Sequence, residues 1–285
     1  MLVALAQLRC PLLDPNATLD TTLGAIDTAA SAGARLIVLP ELAASGYVLD
    51  EPGLRRVAES GDGGTVTSAW RAAARRHQMT VIGGRTELDG DRLFNAVVVI
   101  SPSGEVVGHY RKLHLFGAEH RVFTPGDLGI PLFDVAGLRL GVLVCYDLRF
   151  PEALRIAALR GAQVIAVPTA WVGGFDRPDP GEARIGQVDG ALVQANLSQV
   201  WVLCADHVGR SGTIEFLGRS VVVDPYGRAV LGPLSADEPG VHVVDIDPDE
   251  ALRAQERGKG ISPRRNRRTD VYDDLLGYRP PDRPA

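Results

Sequence analysis

Short apolar runs of strand length alternate with amphipathic, helix-like segments along most of this chain. The predicted strands cover residues 2–8, 36–39, 80–85, 93–100, 105–110, 132–135, 138–145, 163–167, 200–205, 220–223 and 241–246. Helical periodicity covers residues 16–33, with Asn16 as the expected N-cap, and residues 66–77, 153–160 and 182–197. This alternation predicts a mixed α/β fold with sheets inside and helices outside.

Turn residues and loop lengths refine this organisation. Residues 102–104 (Pro-Ser-Gly) predict a hairpin between the strands at 93–100 and 105–110. The long segments after Lys112 and Pro168 are poor candidates for plain connectors and are expected to shape a binding site. No linker-like stretch divides the chain, so we expect one domain over residues 2–275, followed by a disordered tail over residues 276–285.

Composition excludes several classes of function. The chain has 285 residues, of which 45% are hydrophobic and 23% charged, as in ordinary globular proteins. Its net charge of −5 argues against a nucleic-acid partner, and the basic cluster at 264–268 is more typical of a solvated or structural arginine face. The N-terminus lacks a signal-peptide pattern, and no apolar stretch approaches the roughly 20 residues of a membrane span.

The three cysteines indicate a reducing compartment. They cannot form a disulfide framework, and no spacing of cysteines or histidines is typical of a metal site. We therefore expect a cytoplasmic protein with no metal, no cofactor and no membrane partner.

Cys145 is the first candidate for chemistry. Most free cysteines in apolar runs are small core residues, and Cys204 fits that description. Cys145 differs because it closes the run at 138–145 and is followed by a turn and a helical pattern. A nucleophile in such a turn is pushed out of the sheet and faces N–H groups of the turn and of the helix start.

A thiol is a useful nucleophile only when a base or a positive neighbour ionises it. Glu41 follows an apolar run and is expected to be partly buried, which raises a carboxylate pKa towards that of a general base. Lys112 follows a predicted strand and could place a positive charge at a developing oxyanion. His109, His114 and His120 lie near Lys112 in the sequence, so a Cys–His pair stays open as an alternative.

Three segments together are more specific than any single residue. Residues 39–41, 110–116 and 144–152 resemble the signature segments of the nitrilase superfamily of carbon–nitrogen hydrolases, and 123–127, 167–169 and 222–227 match it too. The resemblance extends over about residues 2–275. It implies a four-layer αββα sandwich with two mixed sheets, commonly assembled into homodimers or larger homo-oligomers.

The resemblance also implies roles for individual residues. Glu41 would be the general base and Cys145 the nucleophile. Lys112 and the backbone N–H of Tyr146 would stabilise the tetrahedral intermediate. Glu119 matches the second glutamate that family members often carry, and would orient the substrate amide and Lys112.

The residues of the substrate pocket are less well defined by the sequence. Tyr47, Trp171 and Phe175 follow site segments and could line an apolar pocket or simply pack elsewhere. Arg149 could hold an acidic end of the substrate, although an ion pair with a neighbouring carboxylate, Asp147 or Glu152, is the more ordinary reading.

The activity that the resemblance implies is hydrolysis of a small non-peptide amide to a carboxylic acid and ammonia, through a cysteine thioester. Tyr146 and Asp147 follow the cysteine, as in amidase and carbamoylase branches, whereas the nitrile-hydrolysing branch usually has Trp-Glu there. Amino-acid carbamoylases tend to carry paired arginines after the cysteine, and this chain has Arg149 alone. Hydrolysis of N-carbamoyl compounds is therefore an alternative, nitrile hydrolysis a weaker one, and an inactive interaction protein the non-enzyme alternative.

Overall fold

The computed structural model describes residues 1–173 and 185–275, and these form strands and helices in alternation. The strands are β1 Leu2–Gln7, β2 Leu36–Val38, β3 Thr80–Asp89, β4 Arg92–Ile100, β5 Val106–Arg111, β6 Leu132–Val135, β7 Leu138–Val142, β8 Val164–Pro168, β9 Trp201–Ala205, β10 Arg210–Ser211, β11 Ile214–Glu215, β12 Val221–Val223, β13 Ala229–Leu231 and β14 Gly240–Asp245. The α-helices are α1 Pro15–Ser31, α2 Glu51–Val57, α3 Thr65–His77, α4 Pro151–Leu159, α5 Gly186–Ser198, α6 Glu250–Arg253 and α7 Thr269–Leu275, and two 3₁₀-helices span Gly117–Arg121 and Cys145–Arg149.

Two six-stranded sheets carry the fold. Their strand orders are β14-β1-β2-β3-β4-β5 and β13-β12-β9-β8-β7-β6. In each sheet three neighbouring strands are parallel, β1-β2-β3 and β7-β8-β9, and the flanking strands are antiparallel. Both sheets are therefore mixed, and the hairpin predicted between β4 and β5 is confirmed.

The apolar faces of the sheets and helices determine how the layers of the fold pack. Val3, Leu5 and Val97 of the first sheet share one core with Leu140 and Val142 of the second, so the sheets pack face to face. Helices α1 and α3 cover the outer face of the first sheet, and α4 and α5 pack on the second. The order helix, sheet, sheet, helix confirms the predicted αββα sandwich.

The start of α1 differs from the sequence-based expectation. The N-cap is Asp14, whose carboxylate accepts hydrogen bonds from the backbone N–H groups of Asn16 and Ala17, each at 3.1 Å. The prediction of Asn16 as the cap was wrong because Pro15, which has no N–H, takes the first helical position. The cap therefore falls one residue before the proline.

The strand that leads to Cys145 is shorter than expected. β7 ends at Val142, and the backbone then turns so that Cys145 opens a 3₁₀-helix instead of closing a strand. Sequence patterns also gave no indication of α2, of the short β10–β11 hairpin or of β13. The expected start of α5 near residue 182 and the tail at 276–285 lie outside the described residues, and the domain bounds stay a prediction.

In residues 1–173 and 185–275, no helix is both long enough and apolar enough to cross a bilayer.

Candidate active site

A buried lysine joins two buried carboxylates at one edge of the sandwich. Lys112 directly follows β5, and its Nζ lies 2.7 Å from Glu41 Oε1 and 2.9 Å from Glu119 Oε1. Glu41 lies in the turn after β2, and Glu119 lies in the first 3₁₀-helix. All three side chains have 0% exposure, so the ion pairs are shielded from water.

One carboxylate oxygen of Glu41 accepts hydrogen bonds, and the other accepts none from the described residues. Its Oε1 accepts hydrogen bonds from Lys112 and from Asn95 Nδ2, the latter at 2.7 Å. Its Oε2 is buried and has no hydrogen-bond partner among the described residues. Burial and the charge of Glu119 raise the pKa of Glu41 against the opposing effect of Lys112. A carboxylate with a raised pKa and one open oxygen is suited to accepting a proton.

Lys112 remains an ammonium group in this setting. Burial alone would lower its pKa, but the charges of Glu41 and Glu119 outweigh burial and raise it. The lysine is therefore a fixed positive charge and not an acid that releases its proton.

Glu119 is held by donors on both of its oxygens. Oε1 accepts from the Tyr47 hydroxyl at 2.6 Å as well as from Lys112, and Oε2 accepts from the Phe116 backbone N–H at 2.9 Å. Burial and the nearby carboxylates, Glu119 foremost, raise the pKa of Tyr47 well above its usual value. Tyr47 thus keeps its proton and acts as a donor to Glu119.

Cys145 lies in the turn after β7 and has a strained backbone conformation. Its φ is +44°, in the left-handed region that non-glycine residues seldom adopt. The backbone N–H of Ala170 hydrogen-bonds to the thiol. Burial and the charge of Glu41 outweigh Lys112 and raise the pKa of Cys145 well above its usual value. The resting group is therefore a thiol that needs a base.

Asp147 ties the cysteine turn to the strand that carries Lys112. Its buried carboxylate accepts from the Val144 N–H at 2.9 Å and from the Tyr110 hydroxyl at 2.6 Å. It also accepts from the His114 backbone N–H at 3.0 Å and contacts His114 Nδ1 at 2.7 Å. Sequence reasoning considered Asp147 as a motif residue and as a possible ion-pair partner of Arg149, but it did not predict these hydrogen bonds to Val144, Tyr110 and His114.

The histidines near Lys112 are engaged elsewhere. The ring of His114 stacks on Phe150 at 3.6 Å, and Nε2 of His109 lies 2.7 Å from an oxygen of Asp62. His120 is exposed. The charges of Glu41, Lys112 and Glu119 shift the pKa of the thiol, which favours this set over a Cys–His pair.

A small, mainly apolar cavity opens beside the thiol. Its lining residues are Phe116, Cys145, Tyr146, Leu148, Arg149, Ala170, Trp171, Val172, Gln187 and Gly190. Trp171 and Arg149 are among these lining residues, and their contact with a substrate stays a prediction. Tyr47 instead lines a larger neighbouring cavity, and Phe175 lies outside the described residues.

No group of three or more histidine, cysteine, aspartate or glutamate side chains in the described ranges could hold a metal ion.

Comparison with known proteins identifies the class of this chain. The sequence model of the carbon–nitrogen hydrolase family matches residues 2–255. A nitrilase from Pyrococcus abyssi is 35% identical over 247 residues, covering 86% of this chain and 89% of that protein. An (R)-stereoselective amidase from Pseudomonas sp. is 33% identical, covering 85% and 83%.

Solved structures agree with the sequence relatives. An amidase of the nitrilase superfamily from Nesterenkonia sp. AN1 superposes with a TM-score of 0.78 at 30% identity, covering 97% of both chains. Another variant of that amidase, with a TM-score of 0.78 at 28% identity and covering 97% of this chain and 100% of that one, carries acrylamide added to its active-site cysteine. The chain described here belongs to the carbon–nitrogen hydrolase family. It is an amidase-type hydrolase of carbon–nitrogen bonds other than peptide bonds.

Replacing Asp147 tests whether its hydrogen bonds hold the cysteine turn against the strand that carries Tyr110. Asp147→Asn keeps the shape but turns an N–H group towards its donors, so at least one buried donor loses its acceptor. We expect the free energy of unfolding to fall by about 1.5–3 kcal/mol in urea titrations. Tyr110→Phe is the matched control, since it removes one donor to Asp147 and leaves the carboxylate as the acceptor for the Val144 and His114 N–H groups, so its loss of stability should be smaller than that of Asp147→Asn. An unchanged urea midpoint for Asp147→Asn would contradict this role.

Proposed function

We propose that this enzyme hydrolyses small amides to a carboxylic acid and ammonia through a thioester on Cys145. The observation that carries the proposal is the buried Glu41–Lys112–Glu119 cluster beside a strained thiol, with Glu41 Oε2 unbonded. The site thus combines a nucleophile, a proton acceptor and a fixed positive charge.

The first half-reaction forms the thioester. The thiol proton of Cys145 passes to Glu41 as sulfur attacks the amide carbonyl carbon. Negative charge develops on the carbonyl oxygen, where Lys112 Nζ and the backbone N–H of Tyr146 stabilise it. Tyr146 lies in the first turn of the 3₁₀-helix, whose leading N–H groups lack partners within the helix. The carbon–nitrogen bond then breaks, Glu41 returns the proton to nitrogen, and ammonia leaves.

The second half-reaction releases the acid. A water molecule gives a proton to Glu41 and attacks the thioester carbonyl through the same oxyanion site. The carbon–sulfur bond breaks, the proton returns to sulfur, and the carboxylic acid departs. One base therefore serves both steps, which explains why a carboxylate with a raised pKa suits the position of Glu41.

Glu119 orients the substrate amide in this proposal. Its carboxylate accepts a hydrogen bond from the substrate –NH₂ while it holds Lys112 in place. The Tyr47 hydroxyl and the Phe116 N–H fix the carboxylate for that task.

The cavity beside Cys145 favours a short acyl group. Its walls are mainly apolar, and the acrylamide adduct of the Nesterenkonia amidase is consistent with a substrate of this size. Arg149 is an exposed side chain on this cavity, which keeps N-carbamoyl amino acids as the second candidate substrates. We also expect a cytoplasmic protein that forms a homodimer or a larger homo-oligomer. Sedimentation of the purified enzyme tests the oligomeric state.

Removing the thiol tests the proposal directly. Cys145→Ala should abolish ammonia release from short aliphatic amides while the protein stays folded, because Cys145 is the thiol on which Glu41 and Lys112 act. Cys204→Ala truncates a buried side chain elsewhere and should keep the activity with a slightly lower melting temperature. If Cys145→Ala keeps more than a few per cent of the wild-type rate, Cys145 is not the nucleophile.

The pH profile tests Glu41 as the base. The base acts as a carboxylate, so kcat/KM should fall as the pH drops through the raised pKa of Glu41, above the usual value of about 4.3. Because Glu119 is one cause of that raised pKa, Glu119→Gln should move the acid limb to lower pH. An acid limb at the ordinary glutamate value, unmoved in Glu119→Gln, would exclude this role.

The size of the Glu119 effect tests its contact with the amide nitrogen. Glu119→Gln removes a charge-assisted acceptor worth about 1.5–3 kcal/mol, so kcat/KM should fall roughly 10- to 150-fold. Tyr47→Phe leaves the carboxylate in place and should cost less. A Glu119→Gln enzyme with the wild-type kcat/KM would show that Glu119 does not contact the substrate.

A further inference from the structure

We propose that His207 is a positioning residue for Glu41, and that its imidazole fixes the backbone of the base during turnover. This inference rests on the proposed function, since it takes Glu41 as the base. Sequence patterns gave His207 no role beyond its place next to a strand.

The contact is a short buried hydrogen bond. His207 Nε2 lies 2.6 Å from the backbone carbonyl oxygen of Glu41, and both residues are at most 1% exposed. A carbonyl oxygen only accepts, so Nε2 carries the proton. Burial lowers the pKa of His207 to about 4, so the ring is neutral at neutral pH and serves as a fixed donor.

The turn that carries Glu41 has reason to need such a donor. The next residue, Leu42, has a φ of +49°, in the left-handed region. The turn also lies so close to β3 that a Cβ on Gly84 would come within 2.5 Å of Pro40 O and Leu42 N. The N–H of Glu41 makes a long bond of 3.3 Å to Thr169 O. The imidazole is therefore the closer of two partners on the Glu41 backbone.

His207 is itself held by an aromatic contact that leads back to the site. Its ring stacks on Phe216 with centroids 4.8 Å apart, and Phe216 meets the Tyr47 ring edge-on at 6.0 Å. Tyr47 in turn donates to Glu119. His207 thus contacts the backbone of one glutamate of the cluster directly, and it is linked to the other glutamate through two rings.

Loss of this donor should affect the chemical steps more than substrate binding. The cavity beside Cys145 has no contribution from His207, so KM should stay within about threefold. A base displaced by a fraction of an ångström to an ångström lowers kcat, by about 10- to 100-fold on the scale of such misplacements.

Three substitutions at position 207 separate the hydrogen bond from packing. His207→Leu removes the donor and keeps an apolar side chain. His207→Gln can place an amide N–H near the position of Nε2, whereas the shorter His207→Asn cannot reach it. Phe216→Leu is the matched control, since it removes the ring stack and leaves the imidazole donor.

Steady-state kinetics on a short aliphatic amide, with urea titrations of each variant, decide the matter. We expect kcat to fall 10- to 100-fold in His207→Leu and His207→Asn with little change in KM, and to recover largely in His207→Gln. Phe216→Leu should lose stability but keep most of its kcat. A kcat within twofold of wild type in His207→Leu, or equal losses in the Gln and Asn variants, would overturn the proposal. Should His207→Leu fail to fold, the Gln and Asn pair decides alone.

A second readout separates this inference from the proposed function. The rate at which iodoacetamide alkylates Cys145 at neutral pH requires no amide turnover. It should fall in His207→Leu and His207→Asn and recover in His207→Gln, and an equal rate in all three would overturn the role of His207. A wild-type enzyme that alkylates rapidly but releases no ammonia from amides would instead contradict the proposed function.

Discussion

The ion cluster of Lys112 with Glu41 and Glu119 is the constraint on which the rest of the site depends. Buried charges are costly unless they are paired and hydrogen-bonded, and here one ammonium group faces two carboxylates. The excess negative charge requires further donors, which Asn95, Tyr47 and the Phe116 N–H supply. One carboxylate oxygen, Oε2 of Glu41, is left over, and this is the atom that the proposed chemistry uses.

The sandwich brings these groups together because the two sheets end at a common edge. Glu41 and Lys112 follow strands of the first sheet, whereas Cys145 follows β7 of the second. Asp147 accepts hydrogen bonds from both the cysteine turn and Tyr110 on β5, so the thiol and the lysine have fixed relative positions. A site assembled from two sheets needs such a tie, since a small shift between the layers would separate base and thiol.

The sequence predicted the order of elements and the three main site residues because each leaves a local signal. Glu41 follows four apolar residues and Cys145 closes an apolar run, so the sequence indicated that these two reactive side chains are buried. Asn95 and His207 were not foreseeable in the same way. Each is one polar residue in or beside a strand, and its partner, Glu41, is distant in the chain. The turn before α1 was misread because the effect of Pro15 on cap position outweighed the capping preference of Asn16.

The directions of the pKa shifts describe a site in which Cys145, Tyr47 and Lys112 keep their protons and Glu41 binds a proton more readily than an ordinary carboxylate. Burial and excess negative charge raise the pKa of Cys145, Tyr47 and Glu41, and the carboxylates raise that of Lys112. In the proposed mechanism the thiol proton moves to Glu41 and not to water, so the total charge of the site is the same before and after the attack. The negative charge only moves from the carboxylate to the substrate oxygen beside Lys112. A buried site is suited to this kind of step, since a fixed lysine stabilises displaced charge without reorganisation, whereas net ionisation would oppose desolvation.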